Sequence, residues 1–422
     1  MSHAWIAAVV FGFTYLLLSF QNLPGIFIRR PAAALIGAVA MVAGGVVSLD
    51  RAYRLVDLDT IVFILGMMIV IGYLEVSGFF EKVEWFIVSR ARTTRQLLAL
   101  IVASSGLLSA LFMNDTICLM LTPIVLRLTR RCGLRPAPYL IALATSSNIG
   151  SAFTPMGNPQ NMIVAVHSGV PFAGFVWRLA PISALGLWLN TLILRRAYPG
   201  DFAPGRTVAV AGPGAPAGRG RLLYVCLAAV AALLVLLSCD VRPPLAAIVT
   251  AAALVLAGST RPREAFARID WELLLMFASL FVVMGGLRES GLLDDLMVRL
   301  SGASAAALPA RLAGIALASA LVSNVVSNVP CVVFFVNVLP AMGGGTAAWL
   351  TLAVASTLAG NLTLIGSVAN LIVFETARRE GHIGFWEYLR VGAPLALLLI
   401  GLSVAWLLCL PGGAGAPPGK EL

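Results

Sequence analysis

A short polar run interrupts sequence that is otherwise apolar enough to lie in a bilayer. The run is Asn114-Asp115-Thr116, and apolar arms flank it at 97–111 and 117–126. Neither arm reaches the roughly 20 apolar residues that a full crossing needs, so the pattern predicts a re-entrant hairpin with a polar tip. The only acid in this tip is Asp115. Placing a carboxylate inside a membrane costs free energy, so such residues usually have a function. Asp115 is therefore predicted to be a coupling site for a proton or a cation.

Three further polar breaks resemble this one. Ser327-Asn328 divides a second apolar hairpin at 308–339, and Gly, Pro and Asn interrupt helices at 138–165 and 347–373. Breaks at matching places in two halves are the best sequence indication of a transporter's binding site, since unwound helices expose carbonyls for cations and helix N-termini for anions. The candidate substrate-binding and ion-binding residues are Asn114, Asp115, Thr116, Asn148, Thr154, Gly157, Asn158, Asn161, Ser327, Asn328, Asn361, Thr363, Gly366, Ser367 and Asn370.

Each of these residues also has a purely structural interpretation. Asp115 is of a type that caps helix N-termini, and the asparagines are of a type that bonds helices together. A coupling cation, H+ or Na+, is expected near Asp115 and Gly157, with no other cofactor. Cys118 and Cys331 are soft ligands suited to a trivalent metalloid, but small apolar packing residues are the alternative.

The lack of basic residues in the breaks bears on the solute. No Arg or Lys lies within any of the four breaks. Divalent anions usually recruit guanidinium or ammonium groups, whereas a neutral trihydroxide such as arsenite needs only hydrogen-bonding partners. The breaks therefore predict that arsenite or antimonite is preferred over sulfate, phosphate and succinate.

Composition defines the protein class. The chain of 422 residues is 59% hydrophobic and 11% charged, with a mean hydropathy of +0.94. Apolar runs of this number and length exclude a soluble globular protein and predict an all-α polytopic membrane protein. The net charge of +10 is nearly all arginine, which in a membrane chain reports topology and not nucleic-acid binding. No HExxH or GxSxG motif supports an enzyme.

The cysteines and the missing nucleotide motif exclude further classes. The six cysteines lack paired spacing, so neither a disulfide framework nor a zinc site is predicted. Without a nucleotide-binding loop, ATP could act only through a separate ATPase subunit. Such a subunit and a homodimer are left open as partners, beside the lipid bilayer and a small inorganic solute.

Apolar run lengths predict the membrane spans. They fall at about 4–20, 31–49, 60–79, 173–194, 222–238, 244–258, 271–290 and 391–410. Mixed segments at 81–96 and 292–305 are typical of interfacial helices. The predicted organisation is N-terminal spans at 1–50, a first repeat at 51–194, a cytoplasmic linker at 195–221, connecting spans at 222–258, a second repeat at 259–410 and a tail at 411–422.

The two halves match each other at a fixed offset. Ser290 minus Ser77 is 213, and the same offset pairs Asp115 with Asn328. It also pairs Cys118 with Cys331 and Asn148 with Asn361, and a shift of four residues then pairs Gly157 with Gly366 and Asn161 with Asn370. A long, nearly ungapped self-match predicts two structural repeats.

Basic residues predict the orientation. The first hairpin is flanked by Lys82, Arg90, Arg92, Arg95, Arg127, Arg130, Arg131 and Arg135. Its mouth is therefore predicted to face the cytoplasm, whereas the second hairpin's mouth, uncharged from Pro340 to Trp349, is predicted to face outward. The spans then place Arg29, Arg30 and the linker inside and both termini in the periplasm. The halves are thus predicted to be inverted repeats in a bacterial inner membrane.

These motifs resemble those of the ion transporter superfamily. The Asn-Asp tip, Ser327-Asn328-Val329-Pro330, the stretch from Thr154 to Asn161 and the stretch from Gly360 to Gly366 look closest to the arsenite/antimonite permease (ArsB) branch and its YbiR-like relatives. The superfamily also includes NhaD-type sodium/proton antiporters, citrate carriers and divalent-anion symporters. The chain differs from the last group, whose tips both read Ser-Asn-Thr, and this weakens a dicarboxylate, two-sodium interpretation.

The resemblance covers about residues 25–410 and implies a fold and a function. It implies a scaffold domain, a moving transport domain that holds both hairpins, and elevator-type alternating access. It places Asn114, Thr116, Gly157, Ser327, Asn328 and Gly366 where the superfamily binds ions and substrate. The expected function is secondary active transport of small inorganic oxyanions or metalloid hydroxides, coupled through Asp115. The alternative is a sodium-coupled carboxylate, dicarboxylate or other organic-anion transporter.

Overall fold

A computed structural model provides the structure of the chain. It describes residues 3–19, 29–208, 220–258, 262–295, 297–298, 306–343, 345–378 and 383–410. The expectations about the linker centre at 209–219, the tail at 411–422 and most of the interfacial segment at 299–305 lie outside the described residues.

The described ranges are helical, with a single isolated bridge between Thr93 and Thr207. The α-helices in the first half are α1 His3–Ser19, α2 Arg30–Ala43, α3 Leu49–Leu55, α4 Leu58–Val76, α5 Phe79–Arg90, α6 Thr94–Leu111, α7 Asn114–Arg131, α8 Ala137–Ser151, α9 Pro159–Ser168 and α10 Phe172–Ala197. Those in the second half are α11 Gly220–Ser238, α12 Pro243–Ala257, α13 Pro262–Phe266, α14 Trp271–Glu289, α15 Leu308–Val326, α16 Asn328–Val338, α17 Thr346–Ala359, α18 Val368–Ala377 and α19 Phe385–Cys409.

Seven of the described helices are long and apolar enough to cross a membrane: α4, α6, α10, α11, α14, α15 and α19. The chain is thus an all-helical protein of membrane type. Two of the seven are the first arms of the predicted hairpins, with 18 residues in α6 and 19 in α15. Helix α6 begins three residues before the predicted arm at 97–111, because it includes Thr94, Arg95 and Gln96, whereas α15 begins at 308 as predicted.

The predicted breaks are present in the backbone. Two residues, Phe112 and Met113, separate α6 from α7, and Ser327 alone separates α15 from α16. Residues 152–158 separate α8 from α9, and 360–367 separate α17 from α18. The polar residues that interrupt the apolar runs therefore lie at helix ends, where backbone groups lack intrahelical partners.

The predicted span at 31–49 is shorter than expected. Helix α2 ends at Ala43, Gly45 takes a positive φ of +68°, and a separate helix α3 begins at Leu49. With 14 residues, α2 is about 21 Å long, less than the roughly 30 Å of a bilayer's hydrocarbon core. Its first residue, Arg30, therefore need not lie at a membrane surface.

The helices form two groups that meet at the polar breaks. In the first, called here the four-helix group, α2 packs on α14 and α12 packs on α4. Close contacts at Gly66, beside Ala247, and at Gly286, beside Met41, let these helices approach. In the second, called the hairpin group, α6 packs on α8, α15 on α17, α7 on α18 and α9 on α16.

Candidate functional site

The two hairpin tips meet at a small cavity, called here the tip cavity. Asn114 and Asp115 line it from the start of α7, and Ser327 and Asn328 line it from the start of α16. Gln160, in the first turn of α9, and Ser367, the residue before α18, complete the polar wall. The first turns of four helices thus converge, and their partial positive charges favour a bound anion or an electron-rich oxygen.

A guanidinium from the four-helix group reaches the same cavity. Arg30, the first residue of α2, lines the tip cavity, and its Nη1 donates to Ser327 Oγ at 3.2 Å. The sequence argument for a neutral solute counted only the residues within the breaks. That count holds for the breaks, but it leaves out Arg30, which comes from another helix and brings a basic group to the cavity. The preference for a neutral solute stays a prediction.

Asp115 also lines a second cavity, called here the side cavity. This cavity extends past Thr116 to Glu75, Arg268 and Asp270. Arg268 and Glu75 form an ion pair at 2.9 Å, and Asp270 accepts a capping bond from the backbone N–H of Leu273 at 2.9 Å. With the space that is open to solvent included, each cavity measures about 420 Å³. Asp115 and Leu273 line both cavities, and Asp115 is the one of the two that carries a carboxylate.

Asp115 does not occupy the N-cap position of α7. That position belongs to Met113, which makes no side-chain capping bond, and Asp115 lies in the first turn. The helix partial charge favours an anion there, so a stabilising effect on α7 and a role at the cavity are compatible.

Five of the candidate asparagines are fully buried at the breaks. Asn148 lies at the centre: it accepts from Asn114 Nδ2 at 2.9 Å and from Ser367 Oγ at 3.2 Å. Its own amide donates to Asn361 Oδ1 at 2.8 Å and to Asn370 Oδ1 at 3.1 Å. The network joins the first hairpin tip to both interrupted helices. The side-chain oxygen and nitrogen of Asn148 are both hydrogen-bonded within the protein.

Asn161 and Asn370 each donate hydrogen bonds to the backbone of their own helix interruption. Asn161 Nδ2 donates to the carbonyls of Ser151 and Thr154, both at 3.0 Å. Asn370 Nδ2 donates to the carbonyls of Gly360 at 2.7 Å and Thr363 at 3.2 Å. Asn158 bonds Ser151 Oγ at 2.9 Å. These amides satisfy carbonyls that unwinding leaves free.

Gly157 connects the first break to the first tip. Its carbonyl accepts from the backbone N–H of Asn114 at 2.9 Å. A Cβ at Gly157 would lie 2.3 Å from the Ser151 carbonyl oxygen, so only glycine fits this approach. Thr154 Oγ1 donates to the carbonyl of Ala110 at the end of α6, which fixes the hairpin against the break.

The second break is fixed against the second hairpin by matching residues. A Cβ at Gly366 would lie 2.8 Å from Asn324 Oδ1. Thr363 Oγ1 donates to the same Asn324 oxygen at 3.0 Å. Gly366 and Thr363 therefore position the break beside α15.

Ser327 has an unusual backbone. Its φ is +85° with ψ of 158°, a region that is essentially restricted to glycine. Such strain costs about 1–3 kcal/mol and persists where the surrounding structure imposes it, often at functional sites. A glycine would relieve the strain but would remove the hydroxyl that Arg30 contacts, so the serine is consistent with a role for its side chain.

The two candidate metalloid ligands, Cys118 and Cys331, lie outside both cavities. Cys118 Sγ donates to Ser147 Oγ at 3.0 Å and Cys331 Sγ to the Ser319 carbonyl at 3.5 Å. Both are buried, and neither lines the tip or side cavity. Among the described residues, no group of three or more His, Cys, Asp or Glu is arranged so that it could hold a metal ion. This placement favours the packing interpretation of the cysteines.

Sequence reasoning missed several residues at the site. Arg30 was interpreted only as a topology signal, and Gln160 was left out of the candidates. Pro31 indicated only that a helix begins near Arg30, since prolines favour the first turn of a helix, and it carried no information about the cavity. The positions of Glu75, Arg268 and Asp270 beside Asp115 depend on how α4 and α14 pack, which no local pattern encodes.

Comparisons with known proteins agree with this architecture. The silicon efflux transporter LSI3 of Oryza sativa subsp. japonica is 30% identical, over 94% of this chain and 96% of its own length. The inner membrane protein YbiR of Escherichia coli K12 is 29% identical, over 84% of this chain and 89% of its own length. The crystal structure of the Alcanivorax borkumensis YdaH transporter has a similar fold, with a TM-score of 0.60 and 15% identity, over 97% of this chain and 98% of that one.

A family model described as a citrate transporter (CitMHS) matches residues 15–359. This match covers most of the chain, and together with the relatives it supports the predicted ion transporter superfamily. The chain belongs to the CitMHS family of multi-pass membrane transporters, within the ArsB/NhaD-type superfamily of secondary transporters.

Proposed function

We propose that this chain is a secondary active transporter of small inorganic oxyanions or metalloid hydroxides in a bacterial inner membrane. The observation that carries the proposal is the position of Asp115, where the tip cavity meets the side cavity. A carboxylate shared by two cavities can exchange a proton or a cation with one and influence the solute in the other. LSI3 is named for efflux of silicon, which supports a small solute.

Repeated structure supports alternating access in this proposal. Helices α4, 58–76, and α14, 271–289, have bounds that differ by 213 at both ends. Helices α9, 159–168, and α18, 368–377, differ by 209 at both ends. Gly78 lies two residues after the end of α4, and Gly291 lies two residues after the end of α14. Both have φ of +80°. These matches extend the sequence self-match to backbone geometry.

Ion pairs between the halves are reciprocal. Arg29, before α2, pairs with Glu272 in α14 at 3.8 Å. Arg242, before α12, pairs with Asp59 in α4. Adding 213 converts Arg29 to Arg242 and Asp59 to Glu272, so each half supplies the base for the other's acid. A two-fold relation between the halves would produce such an exchange.

The described ion pairs between helices also agree with the predicted membrane sides. Pairs predicted inside are Arg29–Glu272, Arg268–Glu75, Arg127–Glu84, Arg135–Asp201 and Arg135–Glu387. Pairs predicted outside are Arg51–Glu289, His167–Asp57 and Arg242–Asp59. Among the described residues, no such pair joins opposite predicted sides, which supports the inverted arrangement of the two halves.

We propose further that the hairpin group moves against the four-helix group in an elevator-type cycle. The four-helix group would be the scaffold and the hairpin group the transport domain. The packing supports this division, because the first tip and both interrupted helices are bonded to each other through Asn148. Among the described residues, the polar contacts between the groups include Arg30 to Ser327 and His167 to Asp57.

Within the site, we assign different tasks to the predicted residues. Asn114, Asp115, Ser327, Asn328 and Ser367 line the tip cavity and are the proposed solute contacts. Thr116 faces the side cavity and is proposed to lie on the path of the coupling ion. The remaining candidate residues are proposed to hold the backbone of the breaks in place: Asn148, Thr154, Gly157, Asn158, Asn161, Asn361, Thr363, Gly366 and Asn370.

A carboxylate carrier is the second candidate, because the family model is described as a citrate transporter. Arg30 and the four helix N-termini would also suit a carboxylate. The two candidates differ in the solute and in the need for sodium.

Uptake into everted membrane vesicles tests the proposal. We expect arsenite or antimonite to accumulate or to compete when offered beside phosphate, sulfate, citrate and succinate, with and without sodium. Vesicles from cells that lack the protein provide the control. Robust sodium-dependent uptake of citrate or succinate with no arsenite competition would instead establish the second candidate.

A further inference from the structure

Two arginines lie at the start of α2, and the structure uses them differently. Arg29 is at the surface, with 83% of its side chain exposed, and pairs with Glu272. Arg30 extends into the protein, lines the tip cavity and donates to Ser327 Oγ at 3.2 Å. An ionic partner is worth more in such a half-buried polar cavity than at the surface, since solvent screens it less.

Arg29 has a counterpart of the same type in the other half of the chain, and Arg30 does not. Arg29 corresponds to Arg242, and both form ion pairs with acids of the other half. The residue 213 positions after Arg30 is Pro243, which carries no charge. In the same way Asp115 corresponds to Asn328. The two charges of the tip cavity therefore lie where the halves differ, so the repeated architecture does not require them.

The geometry points to Arg30 as the residue that determines which charge of solute the site accepts, by binding one monovalent oxyanion at its guanidinium, beside Ser327 in the tip cavity. This inference rests on the proposed function and specifies the charge class of the solute. Arginine suits the task because its planar fork can donate two parallel hydrogen bonds to an oxyanion. The hydroxyl of Ser327 and the N-terminus of α16 lie on the same side of the cavity.

The charges around Asp115 limit the choice of anion. Arg30 faces it across the tip cavity, and Asp270, Glu75 and Arg268 face it across the side cavity. Glu75 and Arg268 neutralise each other as an ion pair. Asp270 adds a negative charge to the side cavity and not to the tip cavity, and the N-terminus of α14 partly offsets that charge. Helices α5, α6, α8 and α18, which also pack on α7, contribute no charged residue to the lining of either cavity.

This arrangement favours one negative charge carried with one proton. Within the tip cavity, the charges of Arg30 and Asp115 offset each other when Asp115 is ionised, so an added anion meets a repelling carboxylate. When Asp115 holds a proton, that repulsion is removed and the guanidinium of Arg30 attracts a monovalent anion more strongly. A divalent anion would leave excess negative charge in either state, which is costly at low dielectric. A neutral hydroxide needs no charge partner and should be indifferent to Arg30.

Thermal unfolding of the purified full-length protein tests this inference, with arsenite, phosphate and sulfate as separate probes. The pH is mildly acidic, so that phosphate is largely monovalent while sulfate stays divalent. We expect phosphate to stabilise the wild type and sulfate to have little effect. Arg30→Gln should weaken the apparent phosphate affinity by about tenfold or more, since a hydrogen bond to a charged group is lost. The effect of arsenite should not change.

Two further variants make the result specific. Arg29→Gln removes the neighbouring charge and should bind phosphate as the wild type does. Arg30→Lys keeps the charge without the fork, and should retain part of the phosphate affinity, which also guards against a folding failure in Arg30→Gln. Unchanged phosphate affinity in Arg30→Gln would overturn the inference, as would equal stabilisation of the wild type by sulfate. Stabilisation by arsenite but by no anion would overturn it and leave the proposed function intact, whereas no stabilisation by any probe would count against both.

Discussion

Replacing Asp115 by asparagine should reduce gradient-driven transport to the background of vesicles that lack the protein. The change keeps the shape of the side chain but removes the group that can cycle a proton or hold a cation by charge. Asp115 makes no N-cap bond to α7, so the protein should remain folded. Initial uptake rates under an imposed proton or sodium gradient measure the effect.

The matched control is Asp59→Asn. Asp59 is also an acid in the first turn of a helix, but it pairs with Arg242 in an exposed position outside the two cavities. Exposed ion pairs contribute little, so this variant should transport nearly as the wild type does. Transport at the normal rate by Asp115→Asn would mean that the acid only stabilises the start of α7.

Replacing Asn148 by alanine should have the largest effect on folding. The change removes the partner of Asn114, Ser367, Asn361 and Asn370 at once. A buried polar group left without a partner costs about 1–3 kcal/mol, so the sum should amount to several kcal/mol. We expect a strongly lowered unfolding temperature in detergent and a loss of transport, because the hairpin tip loses its support.

Asn337→Ala provides the comparison for Asn148. Asn337 is partly buried and bonds only the Val333 carbonyl, one turn before it in α16. Its removal should change the unfolding temperature little. If Asn148→Ala unfolds at the same temperature as the Asn337 variant, the network does not support the breaks, and the asparagines would have to be reconsidered as solute contacts.

The sequence predicted the helices well because the bilayer imposes a length on them. Apolar runs placed the span at 271–290, and α14 runs from Trp271 to Glu289. The hairpin tips were located for the same reason, since a polar run inside apolar sequence has few structural solutions. The span at 31–49 was overestimated, because the pattern cannot tell that Gly45 turns the chain before α3.

The site could be predicted only in part. Sequence placed Asp115 and Ser327 at hairpin tips, and the structure brings both to one cavity. It could not distinguish an asparagine that lines the cavity, such as Asn114, from Asn148 or Asn161, whose amides bond to the protein. That difference depends on side-chain direction. The sequence did not predict that Arg30 lies at the site, because its position there depends on how α2 packs on α14.

In the proposed arrangement, two hairpins enter from opposite membrane faces and meet at a shared solute site. Single-cysteine labelling in intact cells, on a cysteine-free background, distinguishes this arrangement from one in which both hairpins enter from the same face. A cysteine in place of Arg131, at the end of α7, and one in place of Met342, after α16, report the mouths of the two hairpins. We predict that an impermeant reagent labels position 342 from the periplasm and reaches position 131 only after the membrane is opened. Labelling of both positions from the same side would contradict the inverted arrangement and, with it, the shared site.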